Sequence, residues 1–165
     1  MVTIAVISDS HIPERADGIP AAFRERIATA DRVVHAGDFT DPTALDTVRE
    51  LAGDRLTAVY GNMDPRNLDL PAVVTFDAGG VTFVVSHGTG DLETYESRVA
   101  DVVKEEADEA AVGIAGHTHE VLDDVVDGVR LLNPGSVTGA APAERTTMFE
   151  VDAEDGAIDV ELHEV

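Results

Sequence analysis

The strongest constraint on the fold is an alternation of apolar and amphipathic segments in about the first sixty residues. Residues 2–8, 32–36 and 56–60 read as buried strands. Residues 20–29 and 42–52 read as helices, the first opened by Pro20 and the second by an Asp41 N-cap followed by Pro42. This β-α-β-α-β order predicts a parallel sheet with right-handed crossovers.

The rest of the chain is richer in strand-like segments. Residues 73–76 and 81–85 flank Ala78-Gly79-Gly80 and predict a hairpin. A helix is predicted over about 95–107, a buried strand over 111–115, and further strands over 121–126, 129–132, 146–151 and 158–162. The simplest arrangement is two packed sheets with helices outside, each part of the chain contributing one half. The length predicts a single domain over residues 1–165, and 44% apolar content is enough for its core.

Composition excludes several classes of protein. The chain has no cysteine, so a disulfide framework and a thiolate metal site are ruled out, and a bound metal must use imidazole, carboxylate or amide oxygen. No apolar run has the length of a membrane span. The chain opens directly into an apolar strand without the basic start of a secretory signal. We therefore expect a cytoplasmic protein that does not interact with membranes.

The charge balance is extreme, with 33 acidic residues against 11 basic ones, a net charge of −22, and Lys104 as the one lysine. A disordered acidic chain is one explanation, but the regular apolar segments favour a packed domain. The other is a cytoplasm at molar salt, where charge repulsion is screened within about 3 Å. We predict the second, a halophilic origin. The same charge argues against stable nucleic-acid binding.

Metal-binding residue types follow five of the predicted strands. Carboxyl ends of parallel strands meet at one sheet edge, so these groups are expected to share a cleft. Each fragment alone is weak, since a lone Asp or His after a strand is usually a turn former. Five in succession favour a metal site. The fragments are Ser8-Asp9-Ser10-His11, Gly37-Asp38, Gly61-Asn62-Met63-Asp64, Ser86-His87-Gly88 and Gly116-His117-Thr118-His119.

This ordered set resembles the calcineurin-like metallophosphoesterase superfamily. The likeness runs from Val2 to about Val151 and includes the loop Asn133-Pro134-Gly135-Ser136. The short chain is similar to the archaeal and bacterial phosphodiesterase branch, which includes the retromer subunit of the Vps29 type. The resemblance implies an α/β fold, a four-layer α/β/β/α sandwich of two packed mixed sheets flanked by helices, with two divalent metal ions.

The resemblance also implies the ligands. Asp9, His11 and His119 would hold the first ion, Asn62, His87 and His117 the second, and Asp38 would bridge both. Manganese is the expected metal, with nickel, zinc, iron and cobalt as alternatives. A hydroxide between the ions would attack phosphorus in line. The expected substrate is a small phosphodiester or a nucleotide-like molecule.

Two positions depart from the family pattern. Met63 stands where many members have a histidine that protonates the leaving group, and Thr89 stands where this branch often has the second histidine of His-Gly-His. A thioether carries no proton to donate. We therefore expect a preference for substrates with acidic leaving groups.

Other candidates surround the predicted ligands. With Asp38 and Asn62, Asp64 is a candidate catalytic residue that either orients a ligand or water or caps the following turn. Arg66 and Arg145 are the nearest basic candidates for binding substrate phosphate. His35 is expected to be a satisfied, partly buried histidine rather than a hydrogen-bond partner of a ligand. The Asn133–Ser136 loop is expected to shape the cleft wall, and His163 to be solvated.

Two alternatives to a phosphodiesterase stay open. A Vps29-like protein-binding scaffold would use the same fold without catalysis, and a phosphomonoesterase or pyrophosphohydrolase would use the same metals. A scaffold is free to lose ligands, whereas all seven are present here, which favours an enzyme. Self-association into a homo-oligomer is also left open.

Overall fold

The structure is a computed structural model that describes residues 1–108 and 110–165. Over these residues the chain forms ten strands and three α-helices. In chain order they are β1 Val2–Ile7, α1 Ala21–Thr29, β2 Arg32–His35, α2 Pro42–Ala52, β3 Leu56–Ala58, β4 Val73–Ala78, β5 Val81–Ser86, α3 Tyr95–Glu106, β6 Val112–Ile114, β7 Val121–Val126, β8 Val129–Pro134, β9 Thr147–Glu154 and β10 Ala157–Glu164.

The first sheet has the strand order β10-β9-β1-β2-β3. Strands β1, β2 and β3 are parallel, as the alternating pattern predicts, whereas β9 is antiparallel to β1 and β10 to β9. Strands β9 and β10 come from the later part of the chain but join the sheet formed by the first sixty residues. The expectation that each part of the chain forms its own half of the fold is therefore wrong. Residues Ile4 to Ile7 of β1 are fully buried, and such a strand needs a hydrogen-bonded neighbour on both sides. Strand β9 supplies the second one.

The second sheet has the order β4-β5-β6-β8-β7. Its inner strands β5, β6 and β8 are parallel, and β4 and β7 pair antiparallel at the two edges. The predicted hairpin is confirmed, with Gly79 and Gly80 both at positive φ in the turn between β4 and β5. Strand β8 runs two residues further than predicted, so Asn133 and Pro134 belong to the strand.

The four-layer α/β/β/α sandwich is confirmed by three separate apolar cores. One core lies between the sheets and includes Val6 and Phe83. A second joins the first sheet to α1 and α2 through residues such as Phe23 and Leu45. A third packs α3 on the second sheet, with Val103 among its members. Each helix thus buries its apolar face on the outer side of one sheet.

Residues at the helix starts follow the sequence pattern closely. The Asp41 carboxylate accepts the backbone N–H of Thr43 at 2.8 Å, which confirms the predicted N-cap of α2. Pro20 occupies the N-cap position of α1. Within residues 1–108 and 110–165, no helix combines the length and apolar character that a bilayer crossing requires.

Candidate metal centre

The carboxyl ends of parallel strands bring the predicted residues to one place. Asp9 and His11 follow β1, Asp38 follows β2 and Asn62 follows β3 in the first sheet. His87 follows β5 in the second sheet, and His117 and His119 follow β6. The two sheets meet at this edge, and side chains from five loops contact one another there.

Four of these residues form a buried cluster. One ligand atom from each of Asp9, His11, Asp38 and His119 lies within 4.8 Å of every other. His11 Nε2 lies 3.4 Å from Asp38 Oδ2, and His119 Nε2 lies 3.4 Å from Asp9 Oδ1. The two Nε2 atoms are 3.2 Å apart. Two imidazoles and two carboxylates are a donor set that suits zinc, manganese, iron or nickel.

The other three residues form a second group on the solvent side of the first. Asn62 Oδ1 lies 3.0 Å from His87 Nε2 and 3.2 Å from His117 Nδ1. His87 Nε2 is also 3.2 Å from Asp38 Oδ2. Asp38 therefore contacts both groups, in the position that a bridging carboxylate would need. All seven predicted ligands are brought together.

Backbone carbonyls determine which nitrogen of two of these histidines faces the cluster. His87 Nδ1 donates to the Ala36 carbonyl at 2.7 Å, and His119 Nδ1 donates to the Ala140 carbonyl at 2.8 Å. A carbonyl oxygen only accepts, so each Nδ1 carries the hydrogen. In the neutral imidazoles Nε2 then presents a lone pair to the cluster, as a metal ligand must.

His117 uses the opposite nitrogen. Its Nε2 donates to the Gly90 carbonyl at 3.0 Å, which leaves Nδ1 with the lone pair. The His117 Nδ1 and His87 Nε2 lone pairs then both point at the carbonyl oxygen of Asn62 with no hydrogen between them. Acceptors that converge in this way repel one another unless a proton or a metal cation lies among them.

The first cluster gives a second, independent indication of a cation. Asp9 Oδ1 is buried and has no hydrogen-bond partner, although an unpartnered buried carboxylate oxygen is costly. His11 Nδ1 is likewise buried and unpartnered. The residues present therefore fit divalent metal ions, and the fit rests on the chemistry of the donors as well as on their spacing.

The backbone is strained at the same residues. Five of them adopt left-handed conformations, with positive φ values of 45° to 76°. Such values are uncommon outside glycine, and they cluster where the surrounding structure enforces a functional geometry. The five are Asp9, His11, Asp38, His117 and His119.

Two glycines allow this close approach of loops. A Cβ added at Gly61 would clash with the Asp38 carboxylate, and one at Gly116 would clash with Ser8 Oγ and lie 2.6 Å from Asp9 Oδ2. Both glycines immediately precede candidate ligands, Asn62 and His117. The Gly-Asn and Gly-His pairs in the sequence thus reflect a steric requirement of the site.

The buried charges perturb one another strongly. Burial would raise the pKa of Asp9, but its contacts with His11 and His119 outweigh burial and lower it. The pKa of Asp38 is lowered in the same way, chiefly by contacts with His11 and His87. Burial opposes protonation of His11, yet Asp38 and Asp9 raise its pKa to about 9. A metal-free site therefore compensates its carboxylates with a proton on His11.

Comparison with known proteins identifies the family. The family model of the calcineurin-like phosphoesterase superfamily domain matches residues 2–156. The chain belongs to this superfamily. A probable metallophosphoesterase of Methanocaldococcus jannaschii is 35% identical over 135 residues, which cover 82% of this chain and 68% of that protein.

Two solved structures show the same architecture. A Thermotoga maritima protein solved by NMR matches with a TM-score of 0.77 and 29% identity, and the match covers all of both chains. Vps29 of Chaetomium thermophilum matches with a TM-score of 0.82 and 22% identity over 100% of this chain and 97% of that one. At 22% identity, the likeness to this Vps29 structure shows a shared fold alone.

Asp64 connects two ligand loops of this calcineurin-like site. Its carboxylate accepts backbone N–H groups from Asp38 at 2.8 Å, Gly61 at 2.8 Å and Thr40 at 2.6 Å. It therefore orients the loop of Asp38 and the loop of Asn62 through their main chains, and it is not one of the seven candidate ligands itself. Burial raises the pKa of Asp64, and these three N–H donors act against that rise.

The loop after β8 holds the loop after β1. Ser136 Oγ donates to the Asp9 carbonyl at 2.8 Å, and Thr138 Oγ1 donates to the Ser10 carbonyl at 2.7 Å. Asn133 is fully buried, and its amide donates to the Gly116 carbonyl at 3.0 Å. The Asn-Pro-Gly-Ser segment thus positions the ligand loops from beneath.

His35 and His163 differ in part from expectation. His35 is fully rather than partly buried, stacks on Phe39 with ring centroids 3.6 Å apart, and interacts with Ser10 and the Gly37 N–H. Burial lowers its pKa to about 3. The prediction of a satisfied histidine is confirmed. The His163 side chain is only 13% exposed, so the expectation that it is solvated is wrong.

The two arginines occupy different surroundings. Arg66 is exposed in a short 3-10 helix and lines a cleft of about 460 Å³ together with Asn62 and Asp64. Arg145 instead donates to both oxygens of Glu164, at 2.7 and 3.2 Å. The contacts of Arg145 thus link the loop before β9 to β10 and do not join it to the ligand cluster.

Sequence reasoning missed the groups that orient the histidines. The carbonyls of Ala36, Gly90 and Ala140 carry no side-chain signal, so only the folded backbone reveals them. Tyr95 was also missed. Its buried hydroxyl donates to the Gly116 carbonyl at 2.6 Å. A buried aromatic at the start of α3 could have been anticipated, but its hydroxyl partner could not.

Proposed function

We propose that this calcineurin-like phosphoesterase is a dinuclear metal-dependent phosphodiesterase. One observation carries the proposal: two groups of converging lone pairs share the carboxylate of Asp38. His11 Nε2 and His87 Nε2, one from each group, lie 3.4 and 3.2 Å from the same Asp38 oxygen. A carboxylate between two dications offsets their mutual repulsion.

The residues divide into two donor sets. Asp9, His11 and His119 would hold one ion, Asn62, His87 and His117 the other, and Asp38 would contact both. Divalent ions at such sites lower the pKa of water and polarise phosphoryl oxygens. Imidazole, carboxylate and amide donors suit manganese, with zinc, iron, nickel and cobalt as alternatives.

Exposure supports an approach of substrate from the side of Asn62. Asp9 and His11 are buried to 0% and 1% exposure, whereas Asn62 is exposed and His117 half-buried. The neutral amide of Asn62 leaves more positive charge at its ion than a carboxylate would, which favours an anionic phosphate. Arg66 lines a cleft together with Asn62, which supports a role of this basic side chain in phosphate contact. Arg145 has Glu164 as a competing partner.

Two clefts support a diester rather than a monoester. One contains Tyr60, Asn62 and His87, and the other contains Tyr60, Asn62 and Arg66. The clefts therefore meet at Tyr60 and Asn62, beside the outer group of ligands. A phosphodiester has two organic arms to place, whereas a phosphomonoester has one.

The proton for the leaving group is not supplied by the residue after Asn62. Met63 is 41% exposed, and its backbone N–H donates to Asp38 Oδ1 at 2.8 Å. Its role here is to orient Asp38 through the main chain. Substrates whose leaving groups depart without protonation are accordingly preferred.

A scaffold function of the Vps29 type is the alternative. The likeness to Chaetomium thermophilum Vps29, at 22% identity, bears on the fold. The complete set of seven donors and their carbonyl-bound histidines support metal binding, which a scaffold does not require. Catalysis and metal content therefore separate the two.

The test combines metal analysis with hydrolysis. Purified protein is dialysed against manganese, its metal content is measured, and bis-aryl and mono-aryl phosphates are assayed at high salt with and without the metal. We expect manganese-dependent hydrolysis with a higher kcat/KM for the diester. Asp38→Ala should lose both metal and activity, whereas Asp17→Ala, an exposed aspartate, serves as the matched control. Absence of turnover together with unchanged metal content in Asp38→Ala would contradict the proposal.

A further inference from the structure

A cleft of about 530 Å³ lies directly beside the outer ligand group. Asn62 and His87 of that group line it, together with Tyr60 and residues of α3. Tyr60 is 46% exposed, which is unusual for a large aromatic with no exposed hydrogen-bond role in the fold. Ala72, Val99 and Val102 are the other apolar residues that line this cleft.

The charged residues around this cleft are two carboxylates and one guanidinium, so negative charge predominates. Asp101 and Glu105 line it and are exposed on α3. Among the described lining residues the one cation is Arg98, and its guanidinium is already occupied. It donates to the Thr89 carbonyl at 2.7 Å and to the Asp91 carbonyl at 2.6 Å. A second phosphate in this cleft would therefore meet two carboxylates and one guanidinium whose N–H groups already bind backbone carbonyls.

We propose that this cleft binds an uncharged aromatic group esterified to the phosphate at the metal centre. The inference rests on the proposed phosphodiesterase function and names the class of substrate. A planar ring fits beside the exposed Tyr60 face and the apolar side of α3, and ring stacking contributes beyond area burial. The acidic residues disfavour polyphosphates and nucleic-acid chains. The occupant is thus a neutral aryl or nucleoside arm.

The neighbouring cleft has a different character. It contains Arg66 with Asp64 and Asp69, and it lies on the other side of Tyr60 and Asn62. Its lining also includes Pro65, Leu68 and Leu70, but its polar groups are more prominent than those of the first cleft and suit a hydrated or hydrogen-bonding arm. The two arms of the diester are therefore distinguished, and the aromatic one is assigned to the side of α3.

Binding of two phosphonates tests the assignment without turnover. Methylphosphonate and phenylphosphonate, which have no ester bond to hydrolyse, are titrated calorimetrically into the manganese-loaded protein at high salt. We expect phenylphosphonate to bind about tenfold more tightly, in line with the usual worth of stacking on an aromatic side chain. Tyr60→Ala should reduce the preference to about twofold or less, and Tyr60→Phe should keep it.

Two further variants, one in the cleft and one outside it, extend the test. Ala72→Asp places a carboxylate on the exposed apolar wall and should also reduce the preference for phenylphosphonate. Val125→Ala truncates an exposed apolar residue on β7 and should leave the preference intact. Equal binding of the two phosphonates, or a preference that survives both Tyr60→Ala and Ala72→Asp, would overturn the inference.

A nucleoside 5′-phosphonate distinguishes two sources of the aromatic arm. Tighter binding than phenylphosphonate supports the cleft and identifies a nucleoside, whereas weaker binding with the Tyr60 dependence retained supports it and identifies a smaller aryl ester. Failure of the proposed phosphodiesterase function gives a different result. A protein that takes up no manganese overturns the phosphodiesterase and this inference together, whereas metal uptake and diester hydrolysis without aryl preference overturn this inference alone.

Discussion

The carboxylate of Asp64 accepts the backbone N–H of Asp38 at 2.8 Å, although the two residues follow different strands. The same carboxylate accepts the N–H of Gly61, the residue before Asn62. A single partly buried side chain thus sets the spacing between the loop that carries the shared carboxylate and the loop that carries the amide ligand.

Asp64→Asn should weaken metal binding without removing a ligand. An amide replaces one acceptor oxygen with a donor, which repels one of the three N–H groups that Asp64 now accepts. Groups that orient metal ligands typically change affinity about 10- to 100-fold. Equilibrium dialysis with metal analysis measures the loss. Asp69→Asn, an exposed aspartate in the same segment, is the control, and equal metal affinity in both variants would contradict the role of Asp64.

Arg98→Ala should selectively reduce the occupancy of the proposed ion that Asn62, His87 and His117 would hold. Arg98 binds the carbonyls of Thr89 and Asp91, which flank Gly90, and the Gly90 carbonyl orients His117. Release of this loop leaves His117 free to rotate, while the inner residues keep their contacts. We expect metal content to fall from two ions towards one, with Arg98→Lys partly restoring it and Arg49→Ala as the control. Loss of both ions, or of neither, would count against this account.

His35 predicts a pH dependence of stability in the metal-free protein. Its pKa falls from 6.5 unfolded to about 3 folded because burial disfavours the charged ring. The unfolded chain therefore binds the extra proton between these values, so the free energy of unfolding falls as the pH drops through this window. From about pH 7 to about pH 5 the loss from this residue is about 2 kcal/mol.

Denaturant titrations with chelator at both pH values measure that loss. His11 contributes with the opposite sign and in another window, since its raised pKa of about 9 gives stability that is lost as the pH rises towards 9. His35→Gln should flatten the acidic slope. An unchanged slope in this variant would show that another group is responsible.

Met63→His should improve the hydrolysis of esters with poor leaving groups. The position is 41% exposed and directly follows Asn62, so an imidazole there can reach a departing oxygen. General acid catalysis of this kind contributes at most about 100-fold here, at the low end of its usual range. The measurement is kcat/KM across aryl diesters of graded leaving-group pKa. The variant should show a shallower dependence than the parent chain, and Met63→Leu should not.

The acidic surface predicts stabilisation by salt. Glu150 and Glu161 lie directly opposite each other on β9 and β10, and like charges in such pairs are destabilising. At about 2 M KCl, screening reduces the distance over which two charges repel each other to a few ångströms. The melting temperature should therefore rise steadily from about 0.1 M to about 2 M KCl. Equal melting temperatures across the series would argue against adaptation to high salt.

Much of the site could be predicted because its residues follow local signals. A buried apolar strand ends at a glycine or a small polar residue, and Asp9, Asp38, Asn62, His87 and His117 each follow such an end. Parallel strands align their carboxyl ends for geometric reasons that hold in any sheet. Residues that are far apart in the sequence could therefore be assigned to one cleft before the fold was known.

Other features depended on contacts between distant parts of the chain. Strand β9 pairs with β1 across more than a hundred residues, and no local pattern distinguishes that pairing from a strand in the second sheet. Arg145 was a candidate for binding substrate phosphate, but its hydrogen bonds go to Glu164 on β10. This partner too is distant in sequence. Local periodicity identifies a strand but carries no information about its neighbour.

The sequence alone thus determined the types of donor, their order and the edge of the sheets at which they gather, because these follow from strand periodicity and residue chemistry. The tertiary structure decided how each donor is aimed. The carbonyls of Ala36, Gly90 and Ala140 select the nitrogen that each histidine turns to the site. Backbone carbonyls are the same in every residue, so only their positions in space, which long-range packing determines, give them this role.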